Sequence, residues 1–156
     1  MMEAIKEALI AKSKGEVPIG CVVVKDQRIV SRAHNLKESL RLASAHAEVL
    51  AIEKASIYQN GWRLTGHVLY VTIEPCAMCA GLIYQSRVKR IVFGEYDLRG
   101  GACGGSFNVL ASSQINHRVL LTPGVLSKEC KSILTSFFSD KRSIRGVGAD
   151  GPRYAP

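Results

Sequence analysis

The sequence lacks the features of a membrane or exported protein. No apolar run approaches the ~20 residues that a membrane-spanning helix needs. The first ten residues carry Glu3, Lys6 and Glu7, whereas a signal peptide has an uninterrupted apolar stretch near its start. We therefore expect a cytoplasmic protein that makes no membrane contact.

The chain also lacks a disulfide framework and any sign of a second domain. Its five cysteines are an odd number and are scattered through the sequence, which argues against paired structural disulfides. There is no internal repeat and no interdomain linker. A length of 156 residues suits a single domain with its own hydrophobic core.

Acidic residues are in deficit, since 21 Lys and Arg oppose 13 Asp and Glu for a net charge of +8. Such an excess favours polyanions such as nucleic acid, because each neutralised phosphate releases counterions. Solubility alone would explain the same charge equally well. The charge therefore supports a nucleic-acid partner without establishing one.

Hydrophobic periodicity predicts helices and strands that alternate after an initial hairpin. Apolar residues recur at helical spacing over 5–11, and Gly15 is suited to end that helix. The short polar segment Lys25–Gln27 separates two apolar runs, as in a hairpin. We expect a mixed sheet with helices on both faces and a loose chain from Asp140 onward. The predicted strands are 17–24, 28–33, 67–73, 88–94 and 117–121, and the later helices are 44–58, 76–86 and 125–138.

Four residues in two short motifs have the chemistry of a catalytic metal site. His46 supplies an imidazole, Cys76 and Cys79 supply thiolates, and Glu48 is a carboxylate two residues from the histidine. The two cysteines are three residues apart at the start of a predicted helix, within reach of one ion. Three protein ligands around a tetrahedral zinc leave one position for a water, whose pKa the metal lowers to near neutrality. A neighbouring glutamate can then carry a proton to the leaving group.

Two other interpretations of the C-x-x-C motif stay open. A closed structural zinc site needs a fourth ligand, which Cys103 or His117 could supply through the fold. A redox pair would leave His46 and Glu48 unexplained. Residues two apart point to different sides of a regular helix, so the spacing alone does not predict that these two face one ion.

Two further segments are candidates for substrate contact. The glycine-rich segment 100–105 lacks the lysine of a P-loop, so we expect a mobile loop beside the site instead. Phe137 and Phe138, followed by Lys141 and Arg142, have the aromatic and basic composition that stacks bases and holds phosphates. Two phenylalanines on an apolar helix are also typical of a hydrophobic core.

The H-x-E and P-C-x-x-C motifs are those of zinc deaminases, and the likeness extends along nearly the whole domain. The sequence resembles the bacterial tRNA-specific adenosine deaminases, of the cytidine and deoxycytidylate deaminase superfamily, over residues 3–142. Residues 143–156 have no counterpart in this resemblance, and we expect them to form a flexible C-terminal tail. The matching segments are Gly15–Gly20, Asn35, Ser44–Glu48, Leu69–Gly81, Ser86–Val88, Val92–Gly94, Asp97, Asn116–Val119, Gly124–Leu126 and Phe137–Phe138.

The resemblance implies an α/β protein with a three-layer α/β/α cytidine-deaminase-like fold and a central mixed five-stranded sheet. It implies one deaminase domain over residues 1–142, acting as a homodimer. The implied reaction is RNA editing: hydrolysis of the wobble adenosine of a tRNA anticodon to inosine, with release of ammonia. One zinc ion per subunit would be held by His46, Cys76 and Cys79, with Glu48 as the catalytic proton shuttle.

The resemblance also implies contacts with an anticodon stem-loop whose target base is splayed out of the stack. Asn35 would hydrogen-bond the base, and Pro18 and Ala45 would line its pocket. Asp97 would contact the anticodon-loop backbone. Three residues near the end of the domain would contact the RNA more widely: Phe138, Lys141 and Arg142.

Two alternative functions remain at the level of sequence. Deaminases of free bases or nucleosides, such as guanine or cytosine, share the zinc motif. The positive charge, Asp97 and the Phe137–Phe138 pair favour a polynucleotide. A non-catalytic RNA-binding module with a structural zinc is the second alternative, and it would make Glu48 dispensable.

Overall fold

The computed structural model describes residues 1–111 and 116–145, with side chains up to residue 143. A five-stranded mixed sheet forms the centre, in the order β2-β1-β3-β4-β5, as expected. The strands are β1 Gly20–Lys25, β2 Arg28–His34, β3 Val68–Ile73, β4 Arg90–Glu95 and β5 Leu120–Thr122. The helices are α1 Met2–Ser13, α2 Lys37–Leu40, α3 Ala47–Tyr58, α4 Ala77–Gln85 and α5 Ser127–Arg145, with a 3-10 turn at Val109–Ala111.

The predicted hairpin is confirmed, and its turn follows from two residues. Asp26 and Gln27 have φ angles of 47° and 60°, so both adopt the left-handed conformation that a tight two-residue turn between twisted strands requires. The first strand begins at Gly20 rather than at Val17. Pro18 precedes that start and has no N–H to donate to a ladder, so the segment before the strand runs outside the sheet.

Strand direction brings several loops to one edge of the sheet. β1 is antiparallel to both β2 and β3, whereas β3, β4 and β5 are parallel. The start of β1 therefore lies beside the ends of β2, β3 and β4. Ligand sites of α/β sheets are found at this carboxyl edge. The segments that meet there are 16–19, 35–39, 74–76 and 96–105.

Helices cover both faces of the sheet, which makes the three-layer α/β/α fold. α1 and α5 contact each other and the sheet, while α3 and α4 contact each other on the opposite side. The hydrophobic core includes Leu69, Ile83, Ile91 and Phe93, all fully buried. Burying side chains of this size stabilises the fold by about 1.5–3 kcal/mol each. The loops at the edge of the sheet are therefore attached to a stable core.

The C-terminal helix differs from the prediction. It begins at Ser127 and continues to Arg145, so the expectation of a loose chain from Asp140 is wrong for residues 140–145. The chain has no glycine or proline between Gly124 and Gly146, so nothing local stops the helix earlier. The expected tail 143–156 thus begins within α5, and residues 146–156 lie outside the described residues. Among the helices described, none combines the length and apolarity needed to cross a bilayer.

Candidate active site

The three predicted metal ligands lie at the starts of two neighbouring helices. His46 is the N-cap residue of α3, and Cys76 is the N-cap residue of α4. Cys79 is the third residue of α4, and the third residue of a helix lies beside its N-cap. The sheet thus brings together a histidine and a cysteine pair that are separated by 30 residues.

The spacing of the ligand atoms fits a tetrahedral ion. Nδ1 of His46 is 3.7 Å from Sγ of Cys76 and 3.6 Å from Sγ of Cys79. The three atoms all lie within 4.8 Å of one another. Zinc–nitrogen and zinc–sulfur bonds of about 2.0 and 2.3 Å at a tetrahedral angle separate nitrogen from sulfur by about 3.5 Å. The cluster therefore has both the donor set and the dimensions of a three-ligand zinc site.

A fourth protein ligand is absent from the cluster within the described ranges. The metal-binding group contains His46, Cys76 and Cys79 alone. His117 instead lies with Nε2 2.8 Å from the carbonyl oxygen of Val88. This arrangement favours an open coordination position over the closed structural site that the sequence had left possible.

Glu48 faces the same cluster as His46, although the two are only two residues apart. His46 has an extended backbone, with φ −75° and ψ 151°, so the angular spacing of a helix does not apply between them. Glu48 is 3% exposed and its carboxylate lies beside the Cys79 thiol. Burial raises the pKa of Glu48 to about 7. Among the described residues its Oε2 atom has no hydrogen-bond partner, which is unusual for a buried carboxylate.

The pKa values of the two thiols are shifted in opposite directions. Hydrogen bonds from Cys79 and from His46 lower the pKa of Cys76 to about 4. The hydrogen bond with Cys76, together with burial, raises the pKa of Cys79 well above its ordinary value. One thiolate is therefore already stabilised by its neighbours, and a bound cation would also favour deprotonation of the other.

Asn35, predicted to bind the base, is held by a glutamate that the sequence analysis missed. Nδ2 of Asn35 donates to Oε2 of Glu16 at 3.2 Å. Glu16 is 1% exposed and also accepts hydrogen bonds from the backbone N–H groups of Glu38 and Ser39 and from the Ser39 hydroxyl. Its carboxylate therefore fixes both the Asn35 amide and the start of α2, an element too short to be predicted from periodicity.

Pro18 and Ala45 are both buried, on segments whose backbone hydrogen-bonds to residues 35 and 36. Ala45 is 2% exposed, and its carbonyl oxygen accepts a hydrogen bond from the N–H of Leu36 at 3.0 Å. Pro18 lies in the segment before β1, and the backbone N–H of Asn35 donates to the carbonyl of Ile19. The three predicted base-binding residues thus belong to adjacent backbone segments at the same edge of the sheet.

A second group of predicted residues lines a cavity of about 580 Å³. Asp97, Phe138 and Arg142 are brought together there, from the loop after β4 and from α5. Arg99 and Tyr96 line it as well, although the sequence analysis did not single them out. The lining residues are Val17, Ile19, Ile73, Tyr96, Asp97, Arg99, Leu134, Thr135, Phe138 and Arg142.

The two adjacent phenylalanines have different roles in the packing. Phe137 is 4% exposed and belongs to the core, whereas Phe138 is 41% exposed beside the cavity. The core interpretation is confirmed for Phe137, and the exposed ring of Phe138 remains a predicted RNA contact. Lys141 is not among the lining residues; its ammonium lies 4.7 Å from the ring centre of Phe137.

Comparisons with known proteins agree on one class of enzyme. The model of the family described as MafB19-like deaminase matches residues 1–142. A tRNA-specific adenosine deaminase of Bacillus subtilis strain 168 is 49% identical over 142 residues, covering 91% of this chain and 88% of that protein.

Two solved deaminase structures are also similar to this chain. One from a study of A-to-I editing by tRNA:A34 deaminases at the wobble position of transfer RNA has a TM-score of 0.81 and 37% identity, covering 86% of this chain and 97% of that one. A guanine deaminase from Nitrosomonas europaea has a TM-score of 0.72 but only 18% identity, covering 87% and 81%. The second likeness concerns the fold alone.

Proposed function

This chain belongs to the family of tRNA-specific adenosine deaminases, and we propose that it hydrolyses the wobble adenosine of a tRNA anticodon to inosine and ammonia. One observation carries the chemical part of the proposal. A buried glutamate, one of whose carboxylate oxygens has no hydrogen-bond partner among the described residues, lies beside a histidine and two cysteines that have zinc-site spacing. The 49% and 37% identities to tRNA deaminases support the substrate.

His46, Cys76 and Cys79 would hold one zinc ion per subunit. Nitrogen and sulfur donors suit zinc, and three of them leave one position free. The ion would supply a Lewis acid that activates water at neutral pH. The separations of 3.6 and 3.7 Å between the imidazole nitrogen and the two sulfurs support this assignment.

Glu48 would move the protons of the reaction. It accepts a proton from the water whose oxygen adds to C6 of adenine, and it delivers that proton to the ring nitrogen N1. It then transfers the second proton of the water to the amino nitrogen, so that the C6–N6 bond breaks and ammonia leaves. Oε2 of Glu48 has no hydrogen-bond partner in the part of the chain that the structure describes. This supports the role, because a buried carboxylate saturated with hydrogen bonds could not serve it.

Asn35, Pro18 and Ala45 would hold the extruded base. The hydrogen bond to Glu16 uses one of the two N–H groups of the Asn35 amide, which leaves the other N–H and the carbonyl oxygen for the base. Pro18 and Ala45 are buried on the adjacent segments and would limit the width of the pocket. A splayed base in an anticodon loop can enter such a pocket, whereas a stacked base in a duplex cannot.

The cavity beside this pocket would accept the flanking nucleotides. Phe138 offers an exposed ring for stacking, and Arg99 and Arg142 offer cations for phosphates. Asp97 would contact the anticodon-loop backbone, and Lys141 would add a phosphate contact from the adjoining turn of α5. The net charge of +8 supports a polyanionic substrate.

A homodimer in the cytoplasm is the proposed state of the enzyme. Leu40, Leu42 and Met78 are 47%, 53% and 42% exposed, and all three lie on segments that carry or precede the metal ligands. Exposed apolar side chains around a site favour a protein–protein contact there. Sedimentation of the zinc-loaded protein would test this, since a mass of one chain contradicts the dimer.

The deciding experiment measures inosine in an anticodon stem-loop that carries adenosine at the wobble position. The Glu48→Ala protein and a loop with guanosine at that position serve as controls. Inosine formed only by the wild-type protein, and only at the wobble position, is the expected result. Folded, zinc-loaded protein that forms none would contradict the proposal, and ammonia release from free guanine or cytosine would then identify a free-base deaminase.

A further inference from the structure

The glycine-rich segment after β4 is wrapped around a buried glutamate. Glu74 is 4% exposed. Its carboxylate accepts hydrogen bonds from the backbone N–H groups of Asp97, Cys103 and Gly105, at 3.0, 2.7 and 2.9 Å. No ion pair to Glu74 occurs within residues 1–111 and 116–143. Three N–H donors from one loop therefore stabilise its charge in place of a basic side chain.

Two glycines of the loop are required by close neighbours and not by their own backbone angles. Gly101 and Gly105 do not have positive φ angles, so their conformation is open to other residues. A Cβ atom at either position would, however, overlap the Glu74 carboxylate and the backbone carbonyl oxygen of Asp97. The glycine-rich segment is thus a cradle for an anion within the same chain. These hydrogen bonds anchor the segment, whereas the sequence analysis predicted a mobile loop.

The same loop is attached to the metal-ligand segment. Glu74 precedes the ligand Cys76 by two residues, and Cys76 forms an isolated bridge with Gly101. The backbone N–H of Ala102 donates to the carbonyl of Pro75 at 2.9 Å. The N–H of Glu74 itself donates to the carbonyl of Glu95, at the end of β4. Glu74 therefore lies where β3, β4, the ligand segment and the loop meet.

The other side of the loop faces the substrate cavity. Asp97 donates its backbone N–H to Glu74 and lines the cavity together with Tyr96 and Arg99. The Asp97 side chain accepts a hydrogen bond from the N–H of Arg99 at 3.0 Å. The position of this cavity wall therefore depends on the anchored end of the loop.

We propose that Glu74 is a positioning residue for the substrate: it anchors loop 97–105 so that Asp97 and Arg99 meet the RNA at a fixed distance from the metal ligands. This inference rests on the proposed function. Because Glu74 contacts the loop and not the ligand atoms, its loss should weaken substrate binding more than the chemical step. The role is separate from that of Glu48, which acts on the reacting atoms.

The test uses Glu74→Gln in the zinc-loaded full-length protein. Glutamine keeps the shape but turns one acceptor oxygen into an N–H donor, which then opposes a backbone N–H. We expect normal zinc content, a KM for the anticodon stem-loop raised about 10-fold or more, and kcat within about 3-fold, as for loss of an interaction made equally with substrate and transition state. Amide exchange of residues 97–105 should rise by at least about 10-fold, since exchange reports local opening.

Three further variants make the result specific. Glu16→Gln alters the other loop-anchoring carboxylate and should loosen residues 35–39 while leaving exchange at 97–105 unchanged. Gly105→Ala keeps Glu74, but its added Cβ would overlap both the Glu74 carboxylate and the Asp97 carbonyl oxygen. It should therefore displace the anchored loop and reproduce the KM effect of Glu74→Gln even if that variant folds poorly. Gly61→Ala, whose added Cβ meets open space, should have no effect.

Several outcomes would overturn the proposal. An unchanged KM in Glu74→Gln would refute the positioning role, and unchanged exchange at 97–105 would refute the anchor. Loss of zinc would mean that Glu74 supports the metal site instead. A wild-type protein that forms no inosine would contradict the proposed function, and the exchange data alone would then judge the anchor.

Discussion

The metal-ligand centre and the loops around it use buried carboxylates in opposite ways. In the centre, formed by His46, Glu48, Cys76 and Cys79, the glutamate has an oxygen with no hydrogen-bond partner in the described chain. Two other buried glutamates hold the flanking loops. Glu16 accepts four hydrogen bonds from segment 35–39, and Glu74 accepts three from loop 97–105.

This difference in hydrogen bonding distinguishes the glutamate proposed to act in the reaction from the two glutamates that hold the surrounding loops. Buried polar groups are normally paired, so a carboxylate oxygen of Glu48 that no described protein group contacts keeps capacity for a reactant, as its proposed role requires. A carboxylate that already accepts three or four hydrogen bonds has little capacity left for substrate and instead orders the backbone that surrounds it. The three glutamates are equally buried, so burial alone does not distinguish these roles.

The largest effect is expected from removing a ligand of the centre. Cys79→Ala should abolish zinc binding, with activity falling by about 1,000-fold or more, because two remaining ligands do not hold a catalytic zinc. Metal content per chain and inosine formation would be measured together. Cys130→Ala, which removes another buried thiol, should keep both. A full zinc complement in the Cys79 variant would refute the ligand assignment.

Glu48→Gln should separate the chemistry of the centre from its metal. The amide cannot shuttle a proton, so kcat should fall by roughly 100- to 10,000-fold while zinc content stays normal. The exposed Glu53 on the same helix supplies the matched control, since Glu53→Gln should retain wild-type kcat. Turnover near wild type in Glu48→Gln would show that another group moves the proton.

Phe138→Ala tests whether the outer region binds RNA rather than stabilising the fold. Loss of stacking with one base costs about 1–3 kcal/mol, so KM should rise roughly 5- to 150-fold with the unfolding midpoint little changed. Phe137→Ala should instead lower the free energy of unfolding by about 3–5 kcal/mol, as for other buried phenylalanines. Equal effects of the two substitutions on stability would remove the distinction between the rings.

Glu16→Gln should have the smallest effect, and one that depends on pH. Burial acts to raise the pKa of Glu16, but hydrogen bonds from Ser39 and Glu38 outweigh it and leave the pKa below its ordinary value of 4.5. The ionised carboxylate therefore stabilises the fold above that value, and this contribution is lost as pH falls through the folded pKa. The variant should be about 1–3 kcal/mol less stable at pH 7.

Urea denaturation of the wild type and Glu16→Gln between pH 7 and pH 3.5 would check this. The difference in free energy of unfolding should shrink as the pH drops below 4.5. A difference that stays constant over this range would mean that the carboxylate charge of Glu16 contributes nothing to its support of the loop.

Local patterns predicted much of the fold. Alternating apolar runs and short polar breaks indicated all five strands, since both signals act over a few residues. The predicted ends of helices and strands were less exact where contacts with residues distant in the sequence determine them. The first strand begins at Gly20 rather than at Val17. A glycine is needed at that position because α1 approaches so closely that a Cβ would overlap the Ala4 carbonyl. The short helix α2 depends on a glutamate some 20 residues earlier in the chain.

The sequence by itself determined the candidate metal ligands and proton shuttle of this protein: an imidazole, two cysteine side chains and a carboxylate, in motifs short enough to be recognised from residue type and spacing. Only the tertiary structure decided which way they face. His46 and Glu48 meet one cluster because a helix begins between them, and Glu16 and Glu74 became loop anchors because strand order brought distant N–H groups to their carboxylates. The spacing of residues along the chain predicts neither arrangement, because both depend on contacts made only when the sheet has formed.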